Sequence, residues 1–188
     1  KASNVYHNDS DKWGPHRAVD MDITVEGGTR WATDDNVKSA WLEVDLDGEN
    51  VRTRETNLGD LIADIMRKTS GADAALINGG SIRTSINKGQ IRVKDVYSVL
   101  PFDNYIVAIK LTGAQIREAL EHGVSAVQRG EGRFPQVSGL TFSYLPSAPP
   151  GSRVRQVRIE GMPVEPDKEY SVATNDFLAA GGDGYKAF

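Results

Sequence analysis

Three stretches of the sequence combine aromatic, charged and amide side chains with glycines, as a binding site for a small molecule would. They are INGGSIR, LPFDN and NDFLAAGGDGY, and their candidate binding residues are Asn78, Gly80, Arg83, Phe102, Phe177 and Asp183. Two aromatic rings can stack on the faces of a flat ligand. A carboxylate can accept hydrogen bonds from sugar hydroxyls, and an arginine can bind a phosphate with its fork of donors. These side chains together would suit a nucleoside or a nucleotide.

The same residue types admit a structural interpretation. Phe102 and Phe177 could fill the hydrophobic core, since phenylalanine is among the residues most often buried. Glycines at strand ends commonly form turns, and a single arginine such as Arg83 is commonly exposed to solvent. The residue types alone leave both interpretations open.

Composition narrows the class of protein. The chain has 188 residues, of which 39% are hydrophobic and 26% are charged, as in a globular protein with a packed core. Its net charge of -4 argues against a nucleic-acid-binding protein, which would normally present a basic face. No run of about 18 apolar residues occurs, so we expect no membrane span. Cysteine is absent, which excludes disulfides and thiolate metal sites.

The elements that must position the three stretches begin with a helix. The run NLGDLIADIMRKTSG predicts a helix with Asn57 as its N-cap and Gly71 as its stop. Its predicted inner face consists of Leu58, Leu61, Ile62, Ile65 and Met66. The buried strand ADAALI then leads into INGGSIR, and a short helix, RVKDVYSVL, ends before LPFDN.

The second half of the chain changes from helix to strand. After the strand NYIVAIKLTG, the run TGAQIREALEHGVSAV predicts a helix capped by Thr112, with Ile116, Leu120 and Val127 on its inner side. The runs VSGLTFSYL, RVRQVRIEG and KEYSVATN predict strands joined by turns. Helices followed by a strand meander predict an α+β domain with a mixed sheet and packed helices.

Five motifs, taken in order, resemble the C-terminal domain of the 5'-nucleotidase family. They are VRTRETNLGDLIAD, INGGSIR, VLPFDN, KLTGAQIREALEHGV and NDFLAAGGDGY, and the resemblance covers residues 44–188. In that family this domain is the substrate-recognition half of a two-domain phosphoesterase. The resemblance therefore implies a domain that recognises a nucleotide or a nucleoside and has the family's α+β fold.

The resemblance also implies a role for each candidate residue. Phe102 and Phe177 would enclose the nucleobase between their rings, and Asp183 would bind the ribose hydroxyls. Arg54 and Arg83 would hold the phosphate near the catalytic metals of the family's other domain.

The INGGSIR motif supplies two more implied contacts. Asn78 would touch the base or the sugar, and Gly80 would let the backbone approach the ligand closely. With these, the implied substrate-binding residues are Arg54, Asn78, Gly80, Arg83, Phe102, Phe177 and Asp183.

The family's catalytic domain holds two divalent metals, and no such centre is expected in this chain. The three histidines, His7, His16 and His122, lack metal-ligand spacing, and His122 is most simply a partly exposed helix residue. A two-metal phosphatase needs its metals to polarise the phosphate and to supply a hydroxide. We therefore expect no cofactor in residues 46–188, and no hydrolysis without a metallophosphatase domain as partner.

Residues 1–45 differ from the rest, since all three tryptophans, Trp13, Trp31 and Trp41, lie there. We therefore expect two units, residues 1–45 and 46–188. The motifs GPHRAVD, TRWAT and WLEVDL resemble the opening of a discoidin-type carbohydrate-binding module (coagulation factor 5/8 C-terminal type). The resemblance implies a short β-rich segment.

The discoidin resemblance opens two alternatives for the first unit. It implies a calcium site at Asp20, Asp22 and Thr29, although the loop MDITVEGG is longer than the corresponding loop of those modules. It also makes a glycan the alternative ligand, bound by Trp and Arg side chains. A third hypothesis is a structural chimera that binds neither ligand.

By the same resemblances, we expect an extracellular or cell-surface protein of a bacterium. The expected partners are a nucleotide or nucleoside and the metallophosphatase domain, with a glycan as the alternative and no nucleic acid.

The two-unit organisation can be tested by truncation. If residues 1–44 supply strands that dock on the larger domain, their deletion should lower the urea midpoint of unfolding. Circular dichroism during urea unfolding measures this midpoint. If the midpoint does not change, the docking hypothesis is wrong.

Overall fold

A computed structural model describes the backbone of residues 6–8 and 40–188, with side chains from residue 41 onward. The predicted calcium ligands Asp20, Asp22 and Thr29 lie outside the described residues, as do Trp13 and Trp31. Most of the segment likened to a discoidin module therefore lies outside them as well.

The described residues form a mixed arrangement of helices and strands. The helices are α1 (Asn57–Ser70), α2 (Val93–Val99), α3 (Gly113–Val124) and α4 (Asp176–Ala179). The strands are β1 (Tyr6–Asn8), β2 (Ala40–Leu42), β3 (Ala74–Asn78), β4 (Gly89–Ile91), β5 (Ile106–Thr112), β6 (Pro135–Ser138), β7 (Leu140–Tyr144), β8 (Val154–Ile159), β9 (Met162–Pro163) and β10 (Glu169–Asn175).

The central sheet has the strand order β5-β10-β3-β6. Strands β10 and β3 are parallel, whereas β5 and β6 run antiparallel to their neighbours. A second, antiparallel sheet has the order β1-β7-β8-β9, and β2 pairs with β4. The predicted α+β class with a mixed sheet and packed helices is confirmed.

The central sheet separates two hydrophobic clusters. Along β3, Leu76 belongs to the cluster that contains Leu120 of α3, and its neighbour Ile77 belongs to the cluster that contains Leu58 of α1. Successive strand residues point to opposite faces of the sheet. A strand that is covered on both faces therefore needs a continuous run of apolar residues. This explains why ADAALI has no polar alternation.

Helix α1 follows its prediction in extent but not in orientation. Its N-cap is Thr56 and not Asn57, because the Thr56 hydroxyl accepts from the Gly59 amide at 3.1 Å. Ile65, predicted to face inward, is 41% exposed. The reason lies at Gly59, where a Cβ would approach Gln136 Oε1 to 2.1 Å. The glycine lets α1 lie close to β6, which rotates Ile65 to the margin of the buried face.

Strand β2 and the loop after it pack on the larger domain. Leu42 and Leu46 are buried in the cluster next to α1, and Leu46 forms an isolated bridge with Ile86. Trp41, by contrast, is 64% exposed. A boundary near residue 45 remains a prediction, and the core of the larger domain already includes Leu42.

The α1 helix buries an acidic side chain among other acids. Asp60 is only 1% exposed. Burial, followed by the neighbouring charges of Glu55 and Asp64, raises the pKa of Asp60 to about 8. The carboxyl group is therefore protonated in the folded chain at neutral pH.

This shift predicts a pH dependence of stability. The unfolded pKa of Asp60 is 3.8 and the folded value is about 8, so between these values the folded chain binds one more proton. The free energy of unfolding should then fall as pH rises, by up to about 1.4 kcal/mol per unit. Asp60→Asn, neutral at every pH, should lose this slope in urea unfolding between about pH 5 and 8.

Glu118→Gln, on the exposed side of α3, is the matched control and should keep the wild-type slope. Parallel stability curves for Asp60→Asn and the wild type would contradict a protonated Asp60.

Candidate functional site

The candidate site centres on a strained turn at Asp183. This residue has φ +50° and ψ 14° and lies between Gly181 and Gly184, whose φ values are also positive. Aspartate is one of the few side chains that adopt this left-handed conformation readily. His122 of α3 places Nε2 2.8 Å from the Asp183 carbonyl oxygen, so Nε2 carries the proton and donates it. The half-buried histidine therefore anchors the turn to helix α3.

The Asp183 carboxylate is fixed by a buried amide. Asn78 Nδ2 donates to Asp183 Oδ2 at 2.6 Å, while Asn78 Oδ1 accepts from the Ser81 hydroxyl at 2.5 Å. Asn175 Nδ2 lies 3.4 Å from the same Asn78 oxygen. Asn78 is 3% exposed. Among the described residues no group donates a hydrogen bond to Asp183 Oδ1, so this oxygen can accept one from a ligand.

Two glycines let the backbone pass directly beside Asp183. The Gly80 amide donates to the Gly132 carbonyl at 2.7 Å. A Cβ at Gly132 would lie 3.3 Å from Asp183 Oδ2, and one at Gly80 would lie 3.0 Å from the Gly132 Cα. Gly80 therefore approaches a second chain segment, 130–133, and its predicted close approach to a ligand stays a prediction.

The two aromatic side chains are surface residues. Phe102 is 52% exposed and Phe177 is 45% exposed, so the core interpretation of both is wrong. A Cβ at Gly182 would lie 2.5 Å from Phe177 Cε1, which shows that the Phe177 ring lies against the turn that carries Asp183. Strand pairing of Ile106 with Asn175 brings the two aromatic loops to the same edge of the sheet.

The two arginines have different surroundings. Arg83 Nη1 donates to the Gly80 carbonyl at 3.1 Å, and its side chain is exposed beside the site. Arg54 Nη2 instead pairs with Asp47 Oδ2 at 3.3 Å, and the arginine side chain is 60% exposed. Burial alone would raise the pKa of Asp47, but hydrogen bonds from Asn50 and from the Glu49 amide, with the Arg54 charge, lower it. The structure thus brings Arg83, but not the Arg54 guanidinium, to Gly80.

Neither a metal centre nor a membrane helix is found in the part of the chain that the structure describes. No group of three or more His, Asp or Glu side chains there could hold a metal ion. No described helix is both long enough and apolar enough to span a bilayer.

Comparison with known proteins identifies the family. The family model described as "5'-nucleotidase, C-terminal domain" matches residues 33–188. The chain is 46% identical over 164 residues to the trifunctional nucleotide phosphoesterase protein YfkN of Bacillus subtilis, covering 81% of this chain and 11% of the relative. It is 37% identical to the protein UshA of Escherichia coli over 139 residues, 74% of this chain and 24% of the relative.

This chain belongs to the 5'-nucleotidase C-terminal domain family. A solved structure, the 5'-nucleotidase precursor from Thermus thermophilus, superimposes with a TM-score of 0.76 at 46% identity, covering 79% of this chain and 31% of the precursor. The chain thus spans less than a third of these relatives. The family match begins at residue 33, inside the segment likened to a discoidin module, and the comparisons give that resemblance no support.

Several residues of the site were missed in the sequence. His122, Ser81, Asn175 and Gly132 all position Asp183, directly or through Asn78. Their signal in the sequence is weak: Asn175 is one of several polar residues in the predicted strand KEYSVATN, and Gly132 is one of two glycines in RGEGR. The sequence predicts only a partly exposed helix residue at His122, and the fold shows that its ring contacts residue 183.

The role of His122 can be tested by unfolding. His122→Ala should lower the free energy of unfolding by about 1 kcal/mol, because the strained turn loses the hydrogen bond to its carbonyl. His122→Gln, whose amide can donate to the same oxygen, should retain most of the stability. Urea denaturation measures both, and equal losses in the two variants would show that the bond to Asp183 is not what His122 contributes.

Proposed function

We propose that this domain recognises a nucleotide or nucleoside as the substrate-binding half of a two-domain 5'-nucleotidase-type phosphoesterase. The observation that carries the proposal is the Asp183 carboxylate, held by Asn78 next to the exposed Phe177 ring. The names of the relatives, a nucleotide phosphoesterase and a 5'-nucleotidase precursor, support the same class of ligand.

The base and the ribose would be bound at the edge of the central sheet. Phe102 and Phe177 stack on the two faces of the base, each contributing on the order of 1–3 kcal/mol. Asp183 accepts hydrogen bonds from the ribose hydroxyls through its available oxygen. Gly80 lets the Gly132 backbone lie close to Asp183 and so helps to shape the site, and Asn78, besides any contact of its own with base or sugar, orients the Asp183 carboxylate.

The phosphate would lie near the exposed arginines. Arg83 is already beside the Gly80 turn, and its fork of donors suits a phosphate. To bind the phosphate, Arg54 would have to break its ion pair with Asp47. That exchange costs little, because an exposed ion pair of this kind contributes only about 0–1 kcal/mol.

Hydrolysis itself would need the partner domain. In the proposed enzyme a metallophosphatase domain contributes two divalent metals, and the residues described here orient the substrate toward them. An extracellular or cell-surface location in a bacterium completes the proposal. A glycan bound by the first 45 residues is the alternative, which no observation on the described residues favours.

Ligand-observed NMR with adenosine, AMP and a panel of monosaccharides tests the proposal on the full 188-residue chain. Two stacking contacts imply a dissociation constant on the order of millimolar. Phe102→Ala and Phe177→Ala should each weaken adenosine binding by roughly 5- to 150-fold, enough to abolish the signal. Met162→Ala removes another exposed apolar side chain, from β9 of the other sheet, and should change nothing.

The ligand panel separates the competing hypotheses. A response to monosaccharides alone would favour the glycan alternative and contradict the nucleoside site. Binding of adenosine that survives both phenylalanine substitutions would place the base elsewhere. If AMP binds more tightly than adenosine, Arg83→Ala should remove the difference.

A further inference from the structure

We propose that Asp176 is a positioning residue that sets the distance between the two aromatic loops. Its carboxylate joins the loop of Phe102 to the loop of Phe177. The inference rests on the proposed function, because the spacing of the two rings matters only if they enclose a ligand.

The reason for an acid at this position lies in the hydrogen bonds of the sheet. The last regular pair between β5 and β10 is Ile106 with Asn175, so Tyr105 and Asp176 would form the next pair. The Asp176 amide does donate to the Tyr105 carbonyl at 3.0 Å. An antiparallel pair of this kind normally exchanges two such bonds.

The backbone carbonyl of Asp176 does not accept the second hydrogen bond, the one from the Tyr105 amide. Asp176 is the first residue of α4, and its carbonyl accepts from the Ala180 amide at 3.0 Å. The side chain replaces that carbonyl: Asp176 Oδ1 accepts from the Tyr105 amide at 3.0 Å. The sheet is thereby extended by one residue pair, at the position where β10 ends and the helix that carries Phe177 begins.

This pair anchors the C-terminal end of the Phe102 loop. Residues 101–105 are all exposed, so burial does not hold the loop in place. On its other side the loop follows Leu100, whose amide donates to the Val96 carbonyl at the end of α2. Within the described part of the chain, residues 101–104 take part in no hydrogen bond. The Tyr105–Asp176 pair therefore fixes where the segment that carries Phe102 meets the segment that carries Phe177.

Amide hydrogen exchange and adenosine binding, measured on the full chain, test this role with two variants. Asp176→Ala should speed exchange of the Tyr105 amide by at least roughly tenfold and weaken adenosine binding by roughly three- to tenfold, because one hydrogen bond and the loop spacing are lost. Asp176→Asn keeps an acceptor oxygen and should preserve both properties. Asp103→Ala, which removes an exposed acid from the same loop, should also preserve both.

Each result has a defined meaning. If the Tyr105 amide stays protected in Asp176→Ala, the proposed link between the loops is wrong. If the amide is freed but adenosine affinity is unchanged, the link exists and the positioning role is overturned, while the proposed nucleoside site stands. If the wild-type chain binds no nucleoside, the proposed function fails and the positioning role with it, and the exchange data still report whether Asp176 joins the loops.

Discussion

The parallel pairing of β3 with β10 is the constraint on which the candidate site depends. Parallel neighbours end at the same edge of a sheet, so Asn78, which ends β3, and Asn175, which ends β10, meet there. The antiparallel strands β5 and β6 begin at that edge, with Ile106 opposite Asn175 and Pro135 opposite Asn78. Loops from four separate parts of the chain therefore converge at one edge. The hydrogen bond between Asn78 and Asp183 joins residues 105 positions apart for this reason.

The strain at Asp183 is balanced by contacts on the core side of the turn. His122 donates to its carbonyl, and two residues later Tyr185 is fully buried, with its hydroxyl donating to the Arg133 carbonyl at 2.6 Å. Burial raises the pKa of Tyr185 well above its usual value, so the phenol stays a donor. A left-handed aspartate costs on the order of 1–3 kcal/mol, which two such hydrogen bonds and a buried ring can offset. These contacts hold the turn in place although Asp183 itself is only half-buried.

The sequence predicted the elements better than their orientation. The helix with Thr112 as its cap and the buried strand ADAALI follow from patterns within a few residues, and the structure has both. The exposure of Ile65 depends instead on how closely Gly59 approaches Gln136, 77 positions away (136 less 59). A pattern within one helix cannot report such a contact. The same holds for His122, because nothing in LEHGV indicates that its ring donates a hydrogen bond to the carbonyl of residue 183.

The chemical types of the residues around Asp183 suit the recognition of a ligand. The polar groups around Asp183 are amides, hydroxyls and a histidine already committed to a backbone carbonyl, and none of them is placed as a free general base. Such a network can orient a ligand because each member is held by a hydrogen bond to another. A buried polar group without such a partner would be costly. Under the proposed function, the domain would have to leave the reacting end of its ligand accessible to the partner domain. The exposure of Phe102, Phe177 and Arg83 is consistent with that requirement.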